Sequence, residues 1–572
     1  MKLMLAVLMV FTMAKLASAQ SPSAPPDTIF VNGDIYTGAT AMVTKSGDQT
    51  WVSAMENTRV EAMAVTDGNI VAVGSNKAIL RLRGEKTQVV NFGGNFVMPG
   101  FNDAHTHLAS GGFEKLDTNL IGTASLAEMK SRIAARSSLA GPGEWVVGRG
   151  WDHTLWADQK LPTRQDLDAV TGGHPAIFTR VDGHIAVANS AALRAVGITA
   201  QTPDPAGGKI DRDENGEPTG ILRETAKDNV LAKLPLPTPE QRRRAVELAL
   251  QDAAQWGVTS AQDNSEWADF WVYEQLEKEG KLTLRIAEWL PFDLPLDELE
   301  RKRAYHPADD SMLRVTMLKG FMDGSLGSRT AAMLEPFTDD RRNSGLARYE
   351  QEALSQKAAE RAAKGFQIGF HAIGDRGARM ALEAFAVAEQ KTGKKDQRFR
   401  IEHAQVIAPE DFKKFHDLGV IASMQPNHLL TDMNWAQAHL GAERAKHSYA
   451  WKEFLDDRVT LAFGTDYPVE PITPFRGVYA AVTRKNEAGT KEYFPEQKIN
   501  IHQAIMAYTT GSAYAEFMEN KKGRLAPGML ADFIVLDRDI TKVKPEEILK
   551  TKVLGTFVGG KMVYSSKQGL AQ

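Results

Sequence analysis

Cysteine is absent from the 572 residues, which excludes disulfides, a lipid-bearing N-terminal cysteine and a cysteine nucleophile. An excess of one charge is lacking too: 68 basic residues stand against 72 acidic ones, for a formal net charge of −4, and no long basic run occurs. Nucleic acid and anionic membrane are therefore poor candidates for a partner. There is no internal repeat, and beyond the N-terminus no apolar run long enough to span a bilayer. What remains is the composition of a globular protein, 43% hydrophobic and 24% charged. The chain is long enough for a barrel with a satellite domain, held by its core rather than by covalent staples.

The one extended apolar run is LMLAVLMVFTM (Leu3 to Met13), preceded by Lys2 and followed by Lys15 and Leu16-Ala17-Ser18-Ala19. It is short for a membrane span and fits a secretory signal cleaved after Ala19. The expected product is an exported bacterial protein, periplasmic or secreted, with no integral membrane span once residues 1–19 are removed.

After the linker SPSAPP, short β-rich runs punctuated by Asn-Gly, Asp-Gly and Gly-Gly turns extend to Gly100. The same texture returns in GRLAPGMLADFIVLD (Gly523 to Asp537) and VLGTFVGGKMVYSS (Val553 to Ser566). Two β segments at opposite ends predict one composite β-sandwich, residues 20–98 with 521–572, because domain termini often lie close together. Between them, residues 99–520 alternate strand-like runs with amphipathic helices. The strands expected are Val97 to His107, Gly257 to Gln262, Leu282 to Leu290, Leu313 to Met322, Phe366 to His371, Phe399 to His403, Val420 to Gln425 and Val459 to Asp466. Eight such strands predict an α/β fold, a (β/α)8 TIM barrel. The interval 109–255 is too long for one crossover and is expected to hold an insertion.

Barrel enzymes place their chemistry at the C-terminal ends of the strands. There the first strand carries His105 and His107, the fourth Lys319, the fifth His371, the sixth His403 and the eighth Asp466. Imidazoles with a carboxylate are ligands for zinc and its neighbours. Taken singly, each residue also has an ordinary use: His105-Thr106-His107 as a pair on a polar loop, His371 or His403 as a bonded core histidine, Asp466 as a loop cap. Lys319 is the sharpest anomaly, because a lysine within LRVTMLKGFM is costly to bury unless it is paired, with Asp323 or Glu402, or chemically altered. A desolvated, partly neutral amine can take up carbon dioxide as a carbamate.

The motifs PGFNDAHTH, KGFMDGSLGSRTA, FHAIGDRG, RIEHAQ, MQPNH and FGTDYP, with GRLAPGMLADFIVLD, resemble the amidohydrolase superfamily, in particular its YtcJ-like branch, which includes N-substituted formamide deformylases. The resemblance spans Thr28 to about Ser566. It implies a metal-dependent hydrolase with a composite sandwich beside the barrel. It implies that His105, His107 and Asp466 hold one divalent ion, His371 and His403 a second, with carboxylated Lys319 between them, although Gly320 is smaller than the apolar residue expected after that lysine. One ion or two, zinc-type in either case, would activate water for hydrolysis of an amide or formamide C–N bond, with Asp466 as base and then acid in the two-ion reading and an imidazole such as His371 as the alternative base with one ion. Asp103 reads as a loop residue or a support to the site rather than a ligand. For substrate contacts the candidates are Asp323 and Arg329 beyond the lysine strand, His428 at the end of strand seven, and, in the insertion, Trp151 and Trp156 of GRGWDHTLW and His184 of RVDGH, with Trp435 as a further wall. Rival readings are an esterase, lactonase or deaminase on the same centre, or a non-catalytic barrel binding protein. A small-molecule substrate is the expected partner, with assembly into a homo-oligomer left open.

Overall fold

The computed structural model describes residues 24–566 other than 39, 47–48, 56–58 and 182. The expected signal segment and its cleavage site after Ala19 therefore lie outside the described residues. Eight strands run parallel in one sheet: Phe101–Thr106, Val258–Asp263, Arg285–Pro291, Leu313–Phe321, Gln367–Ala372, Arg400–His403, Ile421–Met424 and Leu461–Phe463. The sheet curls back on itself where the first and last strands meet. Asp466 N–H donates to His105 O at 2.8 Å, His107 N–H to Tyr467 O at 2.7 Å, and Thr106 pairs in parallel with Tyr467. The α/β barrel read from the alternation is the architecture found.

The barrel helices form for legible reasons. In Pro239–Gln255, Thr238 and Gln241 close a capping box, proline occupies the first turn, and Ala245, Val246, Ala249, Leu250 and Ala253 bury one face at helical spacing. That face lies against the helix Leu108–Leu116. The approach is close at Gly112, where a Cβ would stand 1.9 Å from Ala245 O.

Val97 to His107, read as one strand, is in fact two. Phe96–Pro99 pairs with Phe533–Leu536 and with Asp34–Ile35, whereas Phe101–Thr106 opens the barrel. The chain crosses between sheets at Gly100, where a Cβ would lie 2.2 Å from the Thr259 side chain. Only glycine lets the two sheets come this near.

The strands outside the barrel draw on both chain ends. One six-stranded sheet runs in the order Lys561–Ser565, Val553–Val558, Phe533–Leu536, Phe96–Pro99, Asp34–Tyr36, Arg59–Val60, and a four-stranded sheet comprises Asn69–Gly74, Ala62–Thr66, Thr28–Val31 and Gln88–Asn91. A shared apolar core joins them, with Phe30 stacked on Phe92 at 5.3 Å and Phe533 on Phe557 at 4.4 Å between ring centroids. Arg285 of the barrel forks onto Asp532 at 2.6 and 2.9 Å, both side chains buried.

The insertion is narrower than 109–255, because Leu108–Leu116 and Pro239–Gln255 are barrel helices. Between them stands a six-stranded sheet with apolar clusters of its own. Trp151 and Trp156 belong to one of these clusters. Trp151 is fully buried and donates its indole N–H to Phe178 O at 2.8 Å, and Trp156 donates to Thr123 O at 2.9 Å. Neither is available to a substrate, so both expectations are corrected: large aromatics in a small domain are spent on its core. His184 is largely exposed, with Nδ1 3.0 Å from Glu224, and is not gathered with the barrel-rim residues. Among the described residues, no helix is long and apolar enough to cross a membrane.

Candidate metal centre and active site

Asp466 stands at the centre of the rim. Its Oδ1 lies 3.6 Å from His105 Nε2 and 3.3 Å from His107 Nε2, while its Oδ2 lies 3.5 Å from His428 Nε2. Ligand-competent atoms of His105, His107 and Asp466 all fall within 4.8 Å of one another, as do those of His403, His428 and Asp466. The His371 ring meets the His403 ring edge to face at 4.4 Å, and the His403 ring lies 5.0 Å from that of His105. All six rim residues read from the strand order are thus neighbours, and His428 joins them.

The backbone makes this convergence possible. His403 and Asp466 have φ of +71° and +59°, a region that costs a non-glycine residue of order 1–3 kcal/mol. Alternation along a strand would send Glu402 and His403 to opposite faces. The left-handed turn at His403 instead brings both consecutive side chains to His105.

Protonation is set mainly by burial. Desolvation, followed by the charge of Lys319, lowers His105 to about 4 and His371 to about 3, and burial holds His403 well below the ordinary imidazole value. These rings are neutral, with lone pairs to offer. Burial works to raise the Asp466 carboxyl, but the surrounding histidines outweigh it and keep the group ionised. His371 Nε2 donates to Gly324 O at 3.0 Å, which leaves Nδ1 as its ligand atom.

Lys319 forms neither of the ion pairs that were its ordinary alternative. Its buried Nζ lies 3.0 Å from His105 Nε2, with the Trp289 and Phe321 rings at 5.2 and 5.0 Å. Desolvation lowers the ammonium to about 8, so a fraction of the amine is neutral near pH 7. The small neighbour Gly320 has a packing reason: a Cβ there would stand 2.7 Å from the Phe370 ring.

The residues fit a divalent metal. Asp466 Oδ1, His403 Nδ1 and His428 Nε2 are buried polar atoms without a hydrogen-bond partner, and native structures rarely leave such groups unsatisfied unless an ion or water serves them. Imidazole nitrogens around one carboxylate are the donor set of zinc-like cations.

Glu402 and Arg400 are supporting residues that the sequence does not mark as parts of the site. Glu402 accepts from His105 Nδ1 at 2.8 Å, which directs Nε2 of the same ring into the centre. Arg400 Nε stands 2.8 Å from the other Glu402 oxygen, with both side chains fully buried. Burial works to raise the Glu402 carboxyl, but the Arg400 charge, followed by the hydrogen bond from His105, outweighs it and holds Glu402 at about 2. The signal was present in RIEH, where an arginine and a glutamate stand within a fully buried strand directly before His403. Asp103, read as a loop or supporting residue, is buried within the first strand and accepts from His105 N–H, Thr465 N–H and Thr465 Oγ1 at 3.1, 2.9 and 2.5 Å. It pins strand one to strand eight.

Two proposed substrate contacts are corrected. Asp323 is buried and accepts from Ala332, Ile373 and Gly374 N–H at 2.9, 3.1 and 2.8 Å, so it shapes the loops around His371. Arg329 forks onto Asp339 at 3.1 and 2.7 Å, and its guanidinium is already engaged. Trp435 packs over the Gly327 loop. A cavity of about 600 Å³ lies away from this rim, between the insertion and Pro239–Gln255, and includes none of the rim histidines.

A parallel barrel with histidines and an aspartate at its C-terminal rim defines a class of metal-dependent hydrolases. The profile described as "Amidohydrolase family" matches residues 88–564. The chain is similar to the protein LONG AFTER FAR-RED 3 of Arabidopsis thaliana, 34% identical over 88% of this chain and 88% of that one. It is similar to the putative amidohydrolase YtcJ of Bacillus subtilis, 31% identical over 89% and 97%, and to the N-substituted formamide deformylase of Arthrobacter pascens, 28% identical over 89% and 95%. An uncharacterized metal-dependent hydrolase from Pyrococcus furiosus superposes with a TM-score of 0.73 at 29% identity, covering 90% of this chain and 100% of that one. The chain belongs to the amidohydrolase family, in its YtcJ-like branch, whose members are metal-dependent hydrolases.

Proposed function

We infer that this protein is an exported hydrolase of amide or N-substituted formamide C–N bonds, working with one or two zinc-type cations. The observation that carries the reading is the Asp466 carboxylate, with one oxygen between His105 and His107 and the other facing His428. Similarity to the N-substituted formamide deformylase supports the bond type. In this reading His105, His107 and Asp466 hold one ion, and His371 and His403 a second. A bound divalent cation supplies a Lewis acid and brings the pKa of water toward neutrality.

The remaining steps belong to the protein. The neutral Lys319 amine takes up carbon dioxide, releases a proton and gains anionic oxygens between the two ligand groups. Glu402 keeps the His105 ring in the tautomer that points Nε2 inward. Asp466 accepts the proton lost by the attacking water and returns it to the departing nitrogen. His428, beside Asp466, donates to the substrate carbonyl.

The test is to purify the chain from Gln20, measure bound metal, and assay N-formyl amines, N-acyl amino acids and esters. Metal binding with turnover of a C–N substrate is expected. A reconstituted chain that holds no metal and turns over none of these would overturn the enzyme reading, and turnover of esters alone would overturn the bond type. Export is checked by fractionation and the intact mass of the mature chain. An unprocessed N-terminus would count against it.

A further inference from the structure

A second group of ligand-competent residues lies at the opposite end of the barrel. Glu277 is on the helix Trp267–Lys278, His306 follows the helix Leu296–Arg303, and Asp310 immediately precedes the strand Leu313–Phe321. Lys319 is near the C-terminal end of that same strand, so Asp310 is roughly 25–30 Å from the catalytic rim at 3.3 Å per residue. Ligand atoms of Glu277, His306 and Asp310 lie within 4.8 Å of one another.

The imidazole of His306 is the independent sign of a ligand. Its side chain is only 7% exposed, and Nε2 stands 3.4 Å from Asp310 Oδ2 and 3.7 Å from Glu277 Oε2. Yet Nε2 has no hydrogen-bond partner. The other nitrogen, Nδ1, is 3.4 Å from Glu274 Oε1. If the ring donates Nδ1–H to Glu274 and carries no second proton, a lone pair at Nε2 faces two carboxylates, an arrangement that repels unless a proton or a metal ion sits among them. A carboxylate on the outer nitrogen of a histidine is also the usual way a metal-ligating ring is oriented.

The acids are prepared in the same sense. Asp310 Oδ1 accepts Met312 N–H at 2.7 Å, leaving Oδ2 toward His306. Lys278 is bound to Glu274 Oε2 at 2.9 Å, not to Glu277 or Asp310. Glu277 and Asp310 thus face each other without a lysine or arginine between them, and burial together with the Asp310 charge raises Glu277.

The geometry points to a second, structural divalent-metal site formed by Glu277, His306 and Asp310, with Glu274 orienting the imidazole. One imidazole and two carboxylates suit a zinc-type ion, while calcium and magnesium prefer all-oxygen sites. The side chains of Glu277 and Asp310 are 20% and 27% exposed, so water can fill the remaining coordination. Such an ion would fasten the helix after strand two to the chain entering strand four.

The experiment uses the full chain, stripped with chelator and reloaded with Zn²⁺ alone. Wild type, His306→Gln and Asp310→Asn are compared by zinc per chain, by the rise in Tm on reloading, and by hydrolysis. We expect both variants to bind one zinc fewer than wild type and to lose part of the zinc-dependent Tm rise, with kcat unchanged. Folded variants with wild-type zinc content overturn the proposal and leave a protonated His306 between its acids as the account of the cluster. Should the variants not fold, crystals of zinc-loaded wild type decide it: an anomalous peak beside His306 Nε2 supports the site, and its absence at saturating zinc overturns it. Loss of zinc at the catalytic rim would appear instead in His107 and Asp466 variants, so the two readings fail separately.

Discussion

Lys319 and Glu402 are two buried charges with opposite histories. The lysine is conspicuous in the sequence because its neighbours are apolar; the glutamate is legible there only as a possible ion-pair partner of that lysine, not as the residue that orients His105. Lys319→Ala removes the buried amine at His105, and is expected to lower metal content and reduce turnover by more than about 100-fold, with partial rescue by short carboxylic acids. Unchanged metal and rate would show that the lysine is only a packing residue. Glu402→Gln removes the carboxylate that sets the His105 tautomer, and metal affinity measured by equilibrium dialysis should fall about 10–100-fold. The His-Thr-His pair, Lys319, His371, His403 and Asp466 were legible one by one from their places at strand ends. The roles of Asp323 and Arg329 were not, because a polar residue in a loop looks the same in sequence whether it meets a substrate or its own backbone.

At the scale of elements, two close contacts carry testable weight. Arg285 and Asp532 form a buried pair between barrel and sandwich. Asp532→Ala strands the guanidinium and exposes the Gly559 N–H that the carboxylate also receives, so stability measured by denaturant unfolding should drop by ~3–5 kcal/mol. Gly112→Ala presses a methyl against the Ala245 carbonyl, a backbone atom that cannot rotate away. It should cost ~1–3 kcal/mol, read as a lowered Tm, whereas an unchanged Tm would mean that the two helices separate freely. The helices themselves were readable from period and caps to within a few residues. The split at Gly100 was not, because both halves have the same β-prone composition and only the two different pairing partners distinguish them.

For the whole molecule, the insertion and barrel are tied by Glu144, which bonds Arg136 of the insertion at 2.6 Å and Arg244 of the barrel helix at 2.7 Å. Burial opposes ionisation of Glu144, but the Gly141 N–H and the two arginines prevail and lower it from 4.5 to about 2. A depressed folded-state value contributes stability that is complete above the unfolded pKa and lost as pH falls through the folded one. The stability gap between wild type and Glu144→Gln, ~2 kcal/mol at neutral pH, should therefore narrow below pH 4.5 and close near pH 2. A gap independent of pH would mean the ionised carboxylate contributes nothing.

Sequence alone determined the alternation of strand and helix, the β texture at both ends and the rim positions of the six chemical residues, because period and turn chemistry are local properties. The tertiary structure decided which side chains share a space. It spent Trp151 and Trp156 on the insertion's core, turned His403 and Asp466 through left-handed backbone toward His105, and brought His428 onto the Asp466 carboxylate. The meetings of His105 with Asp466 and of Asp103 with Thr465 depend on closure of the barrel between residues more than 300 positions apart, and no local pattern encodes them.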